Sequence, residues 1–315
     1  MHSACGVRAA TSGLDLQVVR RLTPELQWQV DRLADAAEAA DGLRPFGEHK
    51  WLRLIRGDDR CTALLVRQAG RLVGAAHCDA YHTSAPDRPC RLTAEFVVHP
   101  ELRNQGIGAR LLAAVVDLAD EEIAQELHLW AYGNLEQTQH LAHTYDFAPE
   151  RTLLQYVLPA EGLPVSTHLR TRPFNRQRDA ERWLQLHNRV FAGHPEQDAW
   201  DMVDLEARMA QPWFDPADLL MVTDEATDEL LGFCWVKLPR DANQPGEIYI
   251  VGVDPKARGR SLGKELTAAG LVHIRDHNRP GAMLYVEADN TPAIKLYESL
   301  GFERRYEHVC YSRPV

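Results

Sequence analysis

The strongest constraint on how this 315-residue chain folds is that it repeats itself. The stretch Phe96-Val-Val-His-Pro-Glu-Leu-Arg-Asn-Gln-Gly-Ile-Gly-Ala-Arg-Leu-Leu112 is echoed by Tyr249-Ile-Val-Gly-Val-Asp-Pro-Lys-Ala-Arg-Gly-Arg-Ser-Leu-Gly-Lys-Glu-Leu266. Pro100 and Pro255 stand 155 residues apart, and the same offset joins Val98 to Val253, Arg103 to Arg258, Gly108 to Gly263 and Leu111 to Leu266. It continues through Phe147 and Phe302, Tyr156 and Tyr311, and Pro159 and Pro314. Upstream, Leu72-Val-Gly74 matches Leu230-Leu-Gly232 at an offset of 158, so a small length difference lies between. A register held this long marks half of the chain as a copy of the other half. The length agrees, since domains run to roughly 100–200 residues each.

Each copy has the same order of elements. The first opens with a helix capped by Thr23-Pro24 and closed by Asp41-Gly42. The second opens with a helical pattern from about Arg178 to Phe191, closed by Gly193. Strands follow at residues 63–67 and 72–79 in one copy and 219–223 and 230–237 in the other. A strand ending at Val98 or Val253 then leads through a glycine-containing turn into a helix near Gly108 or Gly263. A strand (127–131; 283–287), another helix and a final strand complete each unit. The reading is α/β with a mixed sheet, used twice: domains 1–160 and 165–315, joined through the Pro/Gly-containing segment 159–164.

With 45 Asp+Glu against 35 Lys+Arg the net charge is −10, which argues against nucleic acid or an anionic membrane as the main partner. A polyanionic ligand must therefore be held by local groups. Six scattered cysteines without a CxxC pair argue against both a disulfide framework and a zinc ribbon. Fourteen histidines include no HExxH, and His140-x-x-His143 reads as solvated surface, so no metal is expected. The start of the chain carries no secretory pattern and the apolar runs are far short of the ~20 residues of a membrane helix. A cytoplasmic, monomeric protein is expected.

Arg-x-x-Gly-x-Gly after a strand has a physical use. Glycines let the backbone approach a ligand and turn its N–H groups toward one point. The helix that follows adds its own free N–H groups and the positive end of its dipole, worth ~0.3–1 kcal/mol for an anion. The result is a diphosphate cradle, with Arg103, or Arg258, Arg260 and Lys264, as nearby cations. It is neither Gly-x-Gly-x-x-Gly nor a P-loop, which weakens dinucleotide and ATP readings.

Arg103-x-x-Gly106-x-Gly108 resembles the acyl-CoA pyrophosphate motif of the Gcn5-related N-acetyltransferase (GNAT) superfamily. So does Val253-Asp-Pro255 leading into Arg258-Gly-Arg-Ser-Leu-Gly263, with Asn290-x-x-Ala-x-x-x-Tyr297-x-x-x-Gly301-Phe302 downstream. Ser261 stands where the superfamily usually has glycine, which matters if that position needs a positive φ. The tandem layout is similar to the mycothiol-forming family. The likeness is carried by Phe191-Ala-Gly-His-Pro-Glu-Gln197, Trp213-Phe-Asp-Pro216, Leu231-Gly-Phe233, Gly246-Glu-Ile-Tyr249 and Leu284-Tyr-Val-Glu287, and more thinly by Asp41-Gly42 and Gly47-Glu48. That resemblance implies acetyl transfer from acetyl-CoA to the cysteinyl amine of cysteinyl-glucosaminyl-inositol. It implies contacts to acetyl-CoA from Val251, Gly252 and Val253, then Arg258, Gly259, Arg260, Ser261, Leu262, Gly263 and Lys264. To these it adds Asn290, Thr291, Pro292, Ala293, Ile294 and Lys295. In the first copy it implies Phe96, Val97, Val98, Asn104, Gln105, Gly106, Ile107, Gly108 and Ala109. Glu48, Glu196, Lys237, Glu247 and Tyr285 match the family's substrate contacts, and Glu48 would give the first copy a share in the substrate site.

Making an amide from a thioester needs a neutral amine and a protonated leaving thiol. A base near the amine typically contributes ~10²–10⁴-fold. Glu247, on the motif strand just before the cradle, suits that role. Tyr297, on the helix after Asn290, suits protonation of the leaving thiolate. Subtracting 155 places Glu247 on Leu92 and Tyr297 on Ala142, while Glu95 falls on Ile250. The first copy thus keeps the cradle and lacks both proton carriers, so the second copy alone is expected to react. Two alternatives remain open: a tandem acetyltransferase for another amine, such as an aminoglycoside or a protein N-terminus, and a non-catalytic acetyl-CoA sensor.

Overall fold

Each helix start and turn seen in the sequence has a matching local geometry. Residues 13–57, 60–81, 90–194, 197, 199–259 and 261–315 are described by a computed structural model. Strand β1 (Leu14–Val19) leads to α1 (Pro24–Asp41), where the Thr23 hydroxyl accepts from the Leu26 N–H at 3.3 Å and Gly42 ends the helix at φ 73°. Then follow α2 (Glu48–Arg56), β2 (Cys61–Gln68), β3 (Arg71–Tyr81), β4 (Arg91–Val98), α3 (Ile107–Glu121), β5 (Glu126–Ala131), α4 (Glu136–Thr144) and β6 (Ala148–Pro159). The second half runs β7 (Arg172–Pro173), α5 (Arg176–Val190), α6 (Met202–Met209), β8 (Leu219–Thr223), β9 (Leu230–Lys237) and β10 (Gly246–Val253). It closes with α7 (Leu262–Asp276), β11 (Gly281–Glu287), α8 (Thr291–Ser299) and β12 (Glu303–Pro314). The short elements β1, α2, β7 and α6 had no distinct signal in the sequence. Helix α2, for example, starts after Gly47 without a side-chain cap.

The chain divides into two compact units. One takes the chain up to Leu153 together with Glu307–Val315; the other is Leu154–Tyr306. A reading by offset alone assigns the last strand to the second copy. In the structure, β12 pairs antiparallel with β5 through Val309↔Ala131 to Pro314↔Glu126, so the chain's end completes the first unit's sheet.

In the first unit β1, β2, β3 and β4 are antiparallel neighbours, and β4 runs parallel to β5 over Arg91↔Glu126 to Ala94↔Leu129. Both faces are covered. One core gathers α3 and α4 through Leu111, Leu112, Val115 and Ala142; the other gathers α1 and α2 through Val30, Leu33, Ala37 and Leu54. The second unit repeats the plan, with β7–β8–β9–β10 antiparallel and β10 parallel to β11. Its cores hold Leu266, Leu271, Ile274 and Tyr297 on one side and Trp183, Leu186, Leu205 and Trp235 on the other. This is a sheet with helices on both faces, used twice.

Candidate functional site

In both units the site begins where two parallel strands part. The β10–β11 ladder covers Gly246↔Ala282 and Glu247↔Met283 and ends there, so the rest of β10 runs on without a partner on β11 among the described pairings. In the first unit β4 and β5 part after Ala94↔Leu129.

In the second unit Glu247 sits at the parting point. It lies opposite Lys237 across β9–β10, and the ammonium stands 3.7 Å from the carboxylate. The Lys237 Nζ also lies 5.2 Å from the Trp213 ring centre and 5.6 Å from that of Tyr249, so aromatic faces hold the cation beside the carboxylate. Residues paired across a ladder share a face, and so do residues two apart on a strand. Glu247, Lys237, Met283 and Tyr285 therefore face one way. Tyr285 is 39% exposed, and its hydroxyl accepts from Gln155 Nε2 at 2.8 Å.

Tyr297 belongs to the opposite face. It is buried in the core that contains Leu284, Val286 and α7, with its ring edge-on to Phe302 at 5.9 Å. Burial, with Cys234 nearby, raises its phenol well above the ordinary tyrosine range, so it keeps its proton at any working pH. The carboxylate and the phenol thus belong to opposite faces of the second unit's sheet.

The cradle follows β10. Asp254 ends the strand; burial alone would raise its pKa, but the Lys256 N–H at 2.9 Å and Arg189 at 2.9 Å hold it below the usual carboxylate value. Gly259 adopts φ 78° and Ser261 φ 58°, both left-handed. Leu262, Gly263 and Lys264 then form the first turn of α7, whose N–H groups have no partner within the helix. Asn290 caps α8, its Oδ1 accepting from the Ala293 N–H at 3.2 Å, and Thr291 to Lys295 open that helix. The positive φ at Ser261 answers the question its sequence position raised. The matching position in the first unit is Gly106, at φ 84°.

The first unit holds a cavity of about 440 Å³ along its cleft. Phe96, Val97, Val98, Asn104, Gly106, Gly108 and Ala109 line it, while Ile107 turns its side chain into the core and Gln105 is outside the lining. Arg103 is engaged by Asp41 through two hydrogen bonds, of 2.8 and 2.6 Å, so much of its charge is already balanced at the cavity wall.

The residue pairing corrects one sequence equivalence. The β9–β10 ladder skips Tyr249, a bulge, whereas β3–β4 runs without interruption from Gly74↔Val98 to Tyr81↔Arg91. Counting back from Gly232↔Val253 and Gly74↔Val98, Lys237↔Glu247 corresponds to Asp79↔Thr93. The counterpart of Glu247 is therefore Thr93, not Leu92, because the bulge absorbs one residue. Ala142 on α4 remains the counterpart of Tyr297 on α8.

One site feature in the first unit had no clear sequence signal. Glu95 is fully buried just past the parting point. It accepts from Lys50 Nζ at 2.7 Å, from the Tyr132 hydroxyl at 2.6 Å and from the Gly47 N–H at 3.0 Å. Offset arithmetic gave it only Ile250 as a counterpart; its partners come from α2 and the turn after β5, distant in sequence. The Glu48 side chain, Glu196 and Arg260 lie outside the described residues.

Comparisons with known proteins give the family. Residues 27–147 and 180–302 each match the acetyltransferase (GNAT) family, and the chain belongs to that family. It is an N-acetyltransferase built of two such domains. A mycothiol acetyltransferase of Thermobispora bispora is 41% identical over 311 residues, spanning 95% of this chain and 100% of that one. Another, from Thermomonospora curvata, is 42% identical over 91% of this chain and 93% of its own. Among solved structures, a tandem GNAT protein from the clavulanic acid biosynthesis pathway superposes with a TM-score of 0.72, at 20% identity, over 96% of this chain and 98% of that one. At that identity it supports the fold alone.

Proposed function

We propose that the chain transfers the acetyl group of acetyl-CoA to the cysteinyl amine of cysteinyl-glucosaminyl-inositol, the step that yields mycothiol, and that the second unit carries the chemistry. The observation that supports this most is the arrangement around the parting of β10 and β11, with Glu247, Lys237 and Tyr285 on one face and Tyr297 on the other. Acetyl-CoA supplies the acyl group as a thioester. Glu247 takes a proton from the acceptor ammonium, directly or through a water. Lys237 stands 3.7 Å from that carboxylate and marks the side of the sheet from which the acceptor amine would approach. Tyr297 directs its phenolic O–H toward the departing sulfur; its raised pKa keeps the phenol protonated. Holding amine and thioester together in the cleft adds rate beyond either proton carrier.

The first unit is read as a binding domain. It keeps a cradle and a cavity, but Thr93 and Ala142 occupy the positions of the two proton carriers. A cytoplasmic monomer acting on a small molecule completes the reading. No described helix is long and apolar enough to cross a membrane. The test is CoA release with the cysteinyl pseudo-disaccharide beside kanamycin and a panel of peptide N-termini. Turnover with the pseudo-disaccharide is expected; turnover with only the other acceptors overturns the assignment.

A further inference from the structure

Three strands of the first unit bring a histidine, a cysteine and a carboxylate to one point. His128 is on β5, Cys310 on β12 and Glu150 on β6. His128 lies opposite Ser312, and Cys310 opposite Trp130, so the His128 and Cys310 side chains lie diagonally on the same face. The His128 Nδ1 stands 3.1 Å from Glu150 Oε2 and 3.6 Å from Cys310 Sγ. All three ligating atoms lie within 4.8 Å of one another, and His128 and Cys310 are buried.

These separations can be compared with what an ion would demand. With Zn–N and Zn–O of about 2.0–2.1 Å and Zn–S of about 2.3 Å at tetrahedral angles, N···S comes to about 3.6 Å and N···O to about 3.3 Å. The observed 3.6 and 3.1 Å match without any rearrangement of the strands. The second ring nitrogen adds an independent observation. His128 Nε2 faces Glu126 Oε2 at 3.4 Å, and Glu126 is in turn held by Arg91 at 3.2 Å. A carboxylate on the far nitrogen of a ligating histidine fixes its ring and tautomer in zinc sites. The Cys310 thiol also has the Tyr311 carbonyl at 4.0 Å, and one cation would draw its sulfur, His128 Nδ1 and the Glu150 carboxylate to a common centre.

We propose that His128 Nδ1, Cys310 Sγ and Glu150 hold a zinc ion that clips the chain's last strand to β5 of the first unit. Cys310 gives up its thiol proton on binding, and the fourth position is left to a water. Soft sulfur with imidazole and one carboxylate selects zinc over magnesium or calcium. The site is structural and takes no part in acetyl transfer.

The test uses the full-length protein, loaded with zinc and passed through gel filtration. Elemental analysis is expected to find one zinc per chain, with thermal stability lowered by chelation and restored by zinc. His128→Asn and Cys310→Ser should abolish retention. Glu150→Gln, at a more exposed position and so less apt to disturb folding, should weaken affinity about tenfold or more. Cobalt substitution should give a thiolate-to-metal absorption band that Cys310→Ser removes. Zinc retention should survive His273→Ala, which disrupts the other His/carboxylate cluster, Asp218–His273–His277. Protein that retains no zinc after loading overturns the proposal. So does zinc that is lost in His273→Ala, or that persists in the Glu150, His128 and Cys310 variants alike.

Discussion

Removing the Lys50 ammonium would leave the Glu95 carboxylate buried beside Tyr132 and the Gly47 amide, with no balancing charge among the contacts described for it. Glu95 is fully buried and the Lys50 side chain only 10% exposed, so water cannot screen the pair. Breaking a buried pair from one side costs about 3–5 kcal/mol, because the remaining charge pays its desolvation uncompensated. Lys50→Met also loses a cation held 5.2 Å from the Trp130 ring centre. For a unit of this size each kcal/mol moves the midpoint by about 2–4 °C, so the first unit's transition should fall by about 6–20 °C. Adding Glu95→Gln removes the stranded charge and keeps the shape, and the double variant should recover more than half of the loss. Calorimetry of the single and double variants checks this. A single-variant loss under about 1 kcal/mol, or a double variant no better than the single, would refute the buried-pair reasoning.

Ser261→Gly tests the left-handed backbone at φ 58°. A non-glycine residue there costs about 1–2 kcal/mol, partly offset by glycine's freer unfolded state, so urea unfolding should show a net gain of about 0.5–1 kcal/mol. His77, His187 and His308 are buried, and burial holds each near a pKa of about 4 in the fold. Unfolded, each would titrate near ~6.5, so the unfolded chain binds more protons as pH drops and stability is lost below that value. Between pH 7.5 and 5.5 the three together should remove about 4 kcal/mol, seen as a lower calorimetric midpoint; an unchanged midpoint contradicts the assignment.

Much of this was legible in the chain itself. The 155-residue offset announced two like domains, and Thr23-Pro24 with Asp41-Gly42 gave α1 to the residue, because caps act locally. The cradle was readable for the same reason: a strand end, a turn and a helix start are continuous in sequence. What escaped depends on pairing between distant segments. The Tyr249 bulge changes which residue stands opposite Lys237, and a constant offset cannot register an extra residue on one strand. The exchange of β12 into the first unit is equally invisible, since a strand reads the same whichever sheet it joins. Glu95 is the counterpart of Ile250, as the offset has it, but its buried role escaped because its partners, Lys50 and Tyr132, stand 45 and 37 residues away.

The central claim is that acetyl transfer belongs to the second unit. The direct measurement is CoA release with the cysteinyl pseudo-disaccharide by Glu247→Gln and Tyr297→Phe, set beside Arg103→Ala and Gly106→Ala. Glu247→Gln should lower kcat about 10²–10⁴-fold, with Tyr297→Phe also strongly reduced, while both first-unit variants keep most of the wild-type rate. Comparable losses from the two sets would contradict the account.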